Sequence, residues 1–192
     1  MSNQDERNAK LSPHRGRIAP TQLAHIVRRT SRFDAMLNWY QTVLGARVVH
    51  CDGMLAFLTY DAEHHRIAIA QIPGLEDQPQ MAAGTDHVAF THADLGDLLY
   101  TYARLKGEGI EPYWCINHGP TTSMYYKDPD GNRVEFQVDN FPSADEANRW
   151  MRSRTSPPTR SAWSSTPMLC WPATKPANRS RSSQRGRRSP RA

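Results

Sequence analysis

This sequence repeats itself internally. Phe33, Met36, Leu37, Tyr40, Val43 and Gly45 are matched, 62 residues later, by Leu95, Leu98, Leu99, Tyr102, Leu105 and Gly107. The apolar members of each set fall at i, i+3, i+4, i+7 and i+10, which is one face of an amphipathic helix, and a glycine closes each helix. The same offset carries His25 to His87. Further on the offset becomes 67: Asp61 matches Asp128, Arg66 matches Arg133, and Ile67 and Ile69 match Val134 and Phe136. In that register Ala68 stands where Glu135 stands. A strand, a helix face and a cap that recur together are a duplicated unit.

Each copy reads as one strand, one helix and three strands. In the first copy the strands are 23–28, 46–51, 54–60 and 66–72. Its helix has Ser31 as N-cap and Asp34 in its first turn. In the second copy the strands are 86–90, 110–115, 121–127 and 132–138, with Asp94 capping the helix. Pro73 to Gly84 carries Pro, Gly and Gln and reads as a linker. The expected fold class is therefore α+β. Two βαβββ modules, 21–73 and 84–141, make up the domain 21–141. A short helix over 142–153, with Ser143 as cap and Trp150 on it, follows.

Charge separates the remaining parts. Of 24 Lys and Arg, ten lie between Arg152 and Ala192, where there is no Asp or Glu; the first 151 residues thus hold 14 basic against 19 acidic residues. The net charge of +5 describes the tail, so it is no signal of nucleic-acid binding for the whole protein. Residues 154–192 are rich in Arg, Ser and Pro and lack periodicity, and are expected to be disordered, as is the polar lead-in 1–20. No run approaches the ~18–20 apolar residues of a membrane helix, and the N-terminus lacks the apolar core of a signal peptide. Cys51, Cys115 and Cys170 are odd in number and widely spaced. A reducing, cytoplasmic setting is expected.

The chemistry gathers on three residues. Asp128-Pro129-Asp130-Gly131-Asn132 is dense turn chemistry, and the strand after it alternates Val134, Phe136 and Val138 against Arg133, Glu135 and Gln137. Glu135 alone would read as a solvated strand carboxylate, and a lone His is more often structural than a ligand. Histidine at the equivalent position of two repeated strands follows from no core-packing rule. His25, His87 and Glu135 together offer two imidazoles and one carboxylate, the facial set that suits non-haem Fe(II) with open positions.

Two βαβββ halves, a His in the first strand of each, and Asp-Pro-Asp-Gly-Asn-Arg-Val-Glu in the last hairpin resemble the vicinal oxygen chelate superfamily. This is the glyoxalase, bleomycin-resistance and extradiol dioxygenase group. The resemblance covers about residues 21–141. It is nearest to the extradiol ring-cleaving dioxygenases. It implies a cupped mixed sheet around one metal held by His25, His87 and Glu135, with Fe(II) expected and Mn(II) or Zn(II) as alternatives. It implies a catechol-type aromatic diol and O2 as substrates, and a homodimer. His118 matches the family's acid/base His, and Tyr125, ten residues before Glu135, matches its second catalytic residue. A further active-site His of those enzymes has no counterpart, since Ile72 to Asp86 contains no His ahead of His87; His64 or His65 could serve only by folding inward. Related isomerases and lyases of the glyoxalase type commonly use a fourth, carboxylate ligand. Ala68 at the symmetric corner favours a chelating diol and O2 instead. A glyoxalase-type isomerase or lyase, or a metal-free drug-binding resistance protein, are the competing readings.

Overall fold

A computed structural model of the chain describes residues 19–79 and 81–153. The basic tail expected over 154–192 lies outside the described residues, as does the lead-in apart from its last two residues. The chain forms two compact units, Met1–Asp86 with Lys127–Asn132, and His87–Tyr126 with Arg133–Ala192.

The first unit contains β1 (Ile26–Thr30), α1 (Phe33–Leu44), β2 (Arg47–Cys51), β3 (Leu55–Thr59) and β4 (Ile67–Gln71). Its sheet runs in the order β1-β4-β3-β2, with β1 parallel to β4 and the other pairings antiparallel. The α1 helix buries Phe33, Met36, Tyr40 and Val43 and lies on β3 and β4, where Ala56, Leu58, Ile67 and Ile69 are buried. Each large apolar side chain covered this way stabilises the unit by about 1.5–3 kcal/mol. Gly45 ends the helix at φ 60°, a left-handed conformation that costs glycine nothing, and its N–H reaches Gln41 O.

Two sequence expectations shift here. The first strand begins at Ile26 rather than Leu23. Ser31 is not the helix cap: that place falls to Arg32, whose N–H is taken 2.8 Å away by the hydroxyl of Thr30, a buried residue.

The Asp-Pro-Asp-Gly-Asn turn is tied into this unit by hydrogen bonds. Oδ1 of Asp128 accepts from the N–H groups of Asp130 (3.0 Å) and Asn132 (2.8 Å). Nδ2 of Asn132 donates to Oδ1 (3.1 Å) and Oδ2 (2.9 Å) of the same carboxyl. Tyr40, fully buried, donates its hydroxyl to Asp128 Oδ2 at 3.1 Å and accepts from Arg28 Nε at 2.9 Å. Burial pushes the pKa of both Tyr40 and Asp128 up, because each would carry charge into a poorly solvated place.

The second unit contains β5 (His87–Thr91), α2 (Leu95–Gly107), β6 (Trp114–Asn117), β7 (Thr121–Lys127), β8 (Arg133–Asp139) and α3 (Ala144–Ser153). Its sheet order, β5-β8-β7-β6, reproduces that of the first. The duplication extends to the register. Ile26 pairs with Ile67 and Val88 pairs with Val134, which are the offsets of 62 and 67 read from the sequence. Val27 opposite Ala68 therefore corresponds to Ala89 opposite Glu135.

Asp94 caps α2 as expected, accepting from the N–H of Asp97 at 2.9 Å. The buried face of that helix is Leu98, Thr101, Tyr102 and Leu105; Leu95 and Leu99, expected on it, are 48% and 37% exposed because they lie at the margin of the stripe. The strand expected over 110–115 begins at Trp114, since the N–H of Ile110 is used to close the helix end on Leu105 O. Ser143 caps α3, its hydroxyl accepting from the N–H of Glu146 at 3.3 Å. Among the described residues no helix is long and apolar enough to cross a membrane.

Candidate active site

Within the second unit, parallel pairing of β5 and β8 sets His87 opposite Arg133 and Ala89 opposite Glu135. Side chains alternate across a sheet, so His87 and Glu135 project from the same face, two residues apart in register. Nε2 of His87 lies 3.0 Å from Oε2 of Glu135. The carboxylate is the buried member, with a side chain 5% exposed against 33% for the imidazole. A carboxylate is almost never buried without a partner, and here one nitrogen faces it from the more open side.

Beside this pair sits a second one. Tyr125 on β7 is buried, and its hydroxyl lies 3.0 Å from Nε2 of His118. The His87 ring meets the Tyr125 ring edge-on, with centroids 5.4 Å apart. Burial holds the His118 imidazole below its ordinary pKa; the charge of Glu135 pulls it upward, and His87 pushes it down. Burial thus favours the neutral imidazole, whose Nε2 donates or accepts the hydrogen bond to Tyr125 according to its tautomer.

The turn that presents His118 is built by its neighbours. The N–H of His118 bonds Thr121 O at 2.9 Å, closing the β6–β7 hairpin. Gly119 follows at φ 97°, a conformation that a side chain would strain, and its N–H donates to Asn117 Oδ1 at 2.7 Å. Asn140, the residue after β8, holds the turn by two hydrogen bonds. Its Nδ2 donates to Gly119 O and its N–H to Pro120 O, each at 2.8 Å.

Trp114 carries no mark of its own in the sequence. It pairs with Tyr125 across β6 and β7, and the two rings stack at 4.9 Å and 26°. It also meets the His118 ring edge-on at 5.7 Å. A hairpin centred on Gly119-Pro120 places residues 114 and 125 opposite each other, and that symmetry was the available signal.

His25 belongs to the first unit, exposed, just ahead of β1. His65 does fold toward it: the two ring centroids are 4.3 Å apart, and His65 stacks on Phe57 at 4.5 Å. His64 Nδ1 lies 2.6 Å from His65 Nδ1. Among the described residues no three His, Cys, Asp or Glu side chains group closely enough to hold a metal ion. What the second unit supplies is a pair. Two donors bound at about 2.1 Å and roughly 90° apart on one ion lie about 3.0 Å from each other. The His87–Glu135 separation of 3.0 Å, and its mixed imidazole and carboxylate chemistry, therefore fit two adjacent ligands of a divalent cation.

The chain is thus an α+β protein of two βαβββ units, the second of which carries an imidazole–carboxylate pair beside a His–Tyr pair. The model of the Glyoxalase/Bleomycin resistance protein/Dioxygenase superfamily matches residues 22–136. The chain is 53% identical over 134 residues to biphenyl-2,3-diol 1,2-dioxygenase 2 of Rhodococcus globerulus, covering 69% of this chain and 70% of that protein. It is 47% identical over 132 residues to biphenyl-2,3-diol 1,2-dioxygenase 3 of the same organism, covering 68% and 70%. A crystal structure of lactoylglutathione lyase from Agrobacterium tumefaciens superposes with a TM-score of 0.51 at 20% identity, covering 62% of this chain and 95% of that one; this likeness concerns the fold alone. The chain belongs to the glyoxalase, bleomycin-resistance and dioxygenase superfamily. It is an enzyme of the extradiol dioxygenase class, an oxidoreductase.

Proposed function

We propose that the chain is an Fe(II)-dependent ring-cleaving dioxygenase acting on a catechol-type aromatic diol with O2, and that His25, His87 and Glu135 hold the metal. The observation that carries this reading is the 3.0 Å approach of His87 to a buried Glu135, next to the His118–Tyr125 hydrogen bond, in a chain so similar to two biphenyl-diol dioxygenases. His25 enters as the counterpart of His87 at the 62-residue offset. Fe(II) bound there would supply Lewis acidity that favours the ionised diol.

The remaining roles fall to the chain itself. Tyr125 offers its hydroxyl to a substrate oxygen and fixes the orientation of the ring. His118, whose neutral form burial favours, accepts the proton that a diol hydroxyl gives up and returns it later in the cycle. Trp114 stacks on Tyr125, restricts that ring to one orientation and covers it against water. Ala68, buried at the position matching Glu135, adds no carboxylate, which favours a chelating diol and O2 over the chemistry of a four-ligand lyase.

The test is anaerobic purification, reconstitution with Fe(II), and addition of catechol or 2,3-dihydroxybiphenyl. Oxygen uptake with a yellow ring-cleavage product is the expected result. No uptake across a panel of diols, with one iron bound per chain, would overturn the reading.

A further inference from the structure

We propose that Trp150 of α3 is a positioning residue for His118. The inference rests on the reading of His118 as the acid/base group, but its geometry stands independently. The α3 helix has no buried residue; its half-buried side consists of Glu146, Ala147 and Trp150. The Trp150 indole lies directly on the α-carbon of Gly119, the residue after His118. A Cβ added at Gly119 would run into Cη2 of that ring and come within 2.7 Å of Cζ2 and Cζ3. The ring also meets that of Phe141, with centroids 5.9 Å apart.

Gly119 is therefore required twice, for φ 97° and for room under the indole. The turn is held between two groups that follow β8: Asn140 fixes its carbonyls by hydrogen bonds, and Trp150 covers its α-carbon. A turn fixed on both sides keeps His118 Nε2 at 3.0 Å from Tyr125 Oη. Catalysis is sensitive to such placement, since a displacement of about 1 Å can cost on the order of 100-fold in rate. The substrate never needs to touch Trp150 for its loss to be felt.

The experiment compares Trp150→Ala, Trp150→Leu and Trp150→Phe with Met151→Ala, an exposed neighbour on the same helix. The first measurement needs no activity: ring resonances of 15N-histidine-labelled protein. The signal of His118, assigned by its absence in His118→Gln, shifts or broadens in the Ala and Leu variants, stays near wild type in Phe, and is unchanged in Met151→Ala. The second is turnover of 2,3-dihydroxybiphenyl by the Fe(II)-loaded enzyme. In Trp150→Ala kcat falls about tenfold with KM within about twofold, Phe restores most of it, and in a His118→Gln background the Ala substitution costs nothing further. If Trp150→Ala does not fold, the Leu and Phe variants carry both comparisons. An unmoved His118 signal, or an equal loss of kcat with and without His118, overturns the proposal. A wild-type enzyme that turns over no diol defeats the functional reading instead, and the resonance measurement then decides this one alone.

Discussion

His87 and Glu135 reach within 3.0 Å of each other without being register partners: His87 pairs with Arg133, and Glu135 with Ala89. The parallel ladder places both on one face, and the long carboxylate side chain spans the two-residue step. The same ladder in the first unit, β1 against β4, presents Ala68 where Glu135 would be. Duplication thus supplied the scaffold twice, and the carboxylate in one copy only.

Tyr125→Phe removes the hydroxyl bonded to His118 and leaves the stack on Trp114 in place. The expected outcome is a kcat lower by about 10- to 100-fold, since a positioned proton-transfer network contributes on the order of 100-fold or more. Thermal stability should change little. Oxygen-uptake kinetics and a melting curve on the same preparation check both parts.

Tyr40→Phe leaves the carboxyl of Asp128 and the guanidinium of Arg28 without the hydroxyl that joins them. Asp128 is buried, so the loss is expected to cost about 1–3 kcal/mol. Urea denaturation should show a lower midpoint with an unchanged slope.

Asp128 also gives a pH dependence of definite sign. Burial raises its folded-state pKa above the unfolded value, so the native state binds that proton more tightly. The resulting stability is fully present below the unfolded pKa and is lost as pH rises through the folded one. Other carboxylates, Asp52, Asp61 and Glu63, have lowered values and slope the opposite way. The contribution is therefore read as a difference. The stability of wild type minus that of Asp128→Asn should decrease as pH is raised through the carboxylate range, measured by urea melts at successive pH values.

Much of this was legible in the sequence because duplication encodes itself. The helix faces at Phe33 to Val43 and Leu95 to Leu105, and the two offsets, reappear as helices and as matching sheet registers. Asp94 and Ser143 announced their helix starts through local chemistry. Ser31 did not: the helix begins one residue later, at Phe33, with Arg32 in the cap position and no side chain capping it. Trp114 stayed hidden because its role is set by which residue lies across the hairpin. Periodicity along one strand carries no information about its neighbour. The contact of Trp150 with Gly119 spans thirty-one positions and has no local signature at all.

The proposed ferrous site of His25, His87 and Glu135 is open to direct test. The direct measurement is iron binding by the anaerobic protein and its His25→Ala, His87→Ala and Glu135→Gln variants, with folding checked by circular dichroism. One Fe(II) per chain is expected in wild type, with an affinity at least about tenfold weaker in each folded variant and oxygen uptake lost in step. Full iron occupancy at wild-type affinity in any of the three would contradict it.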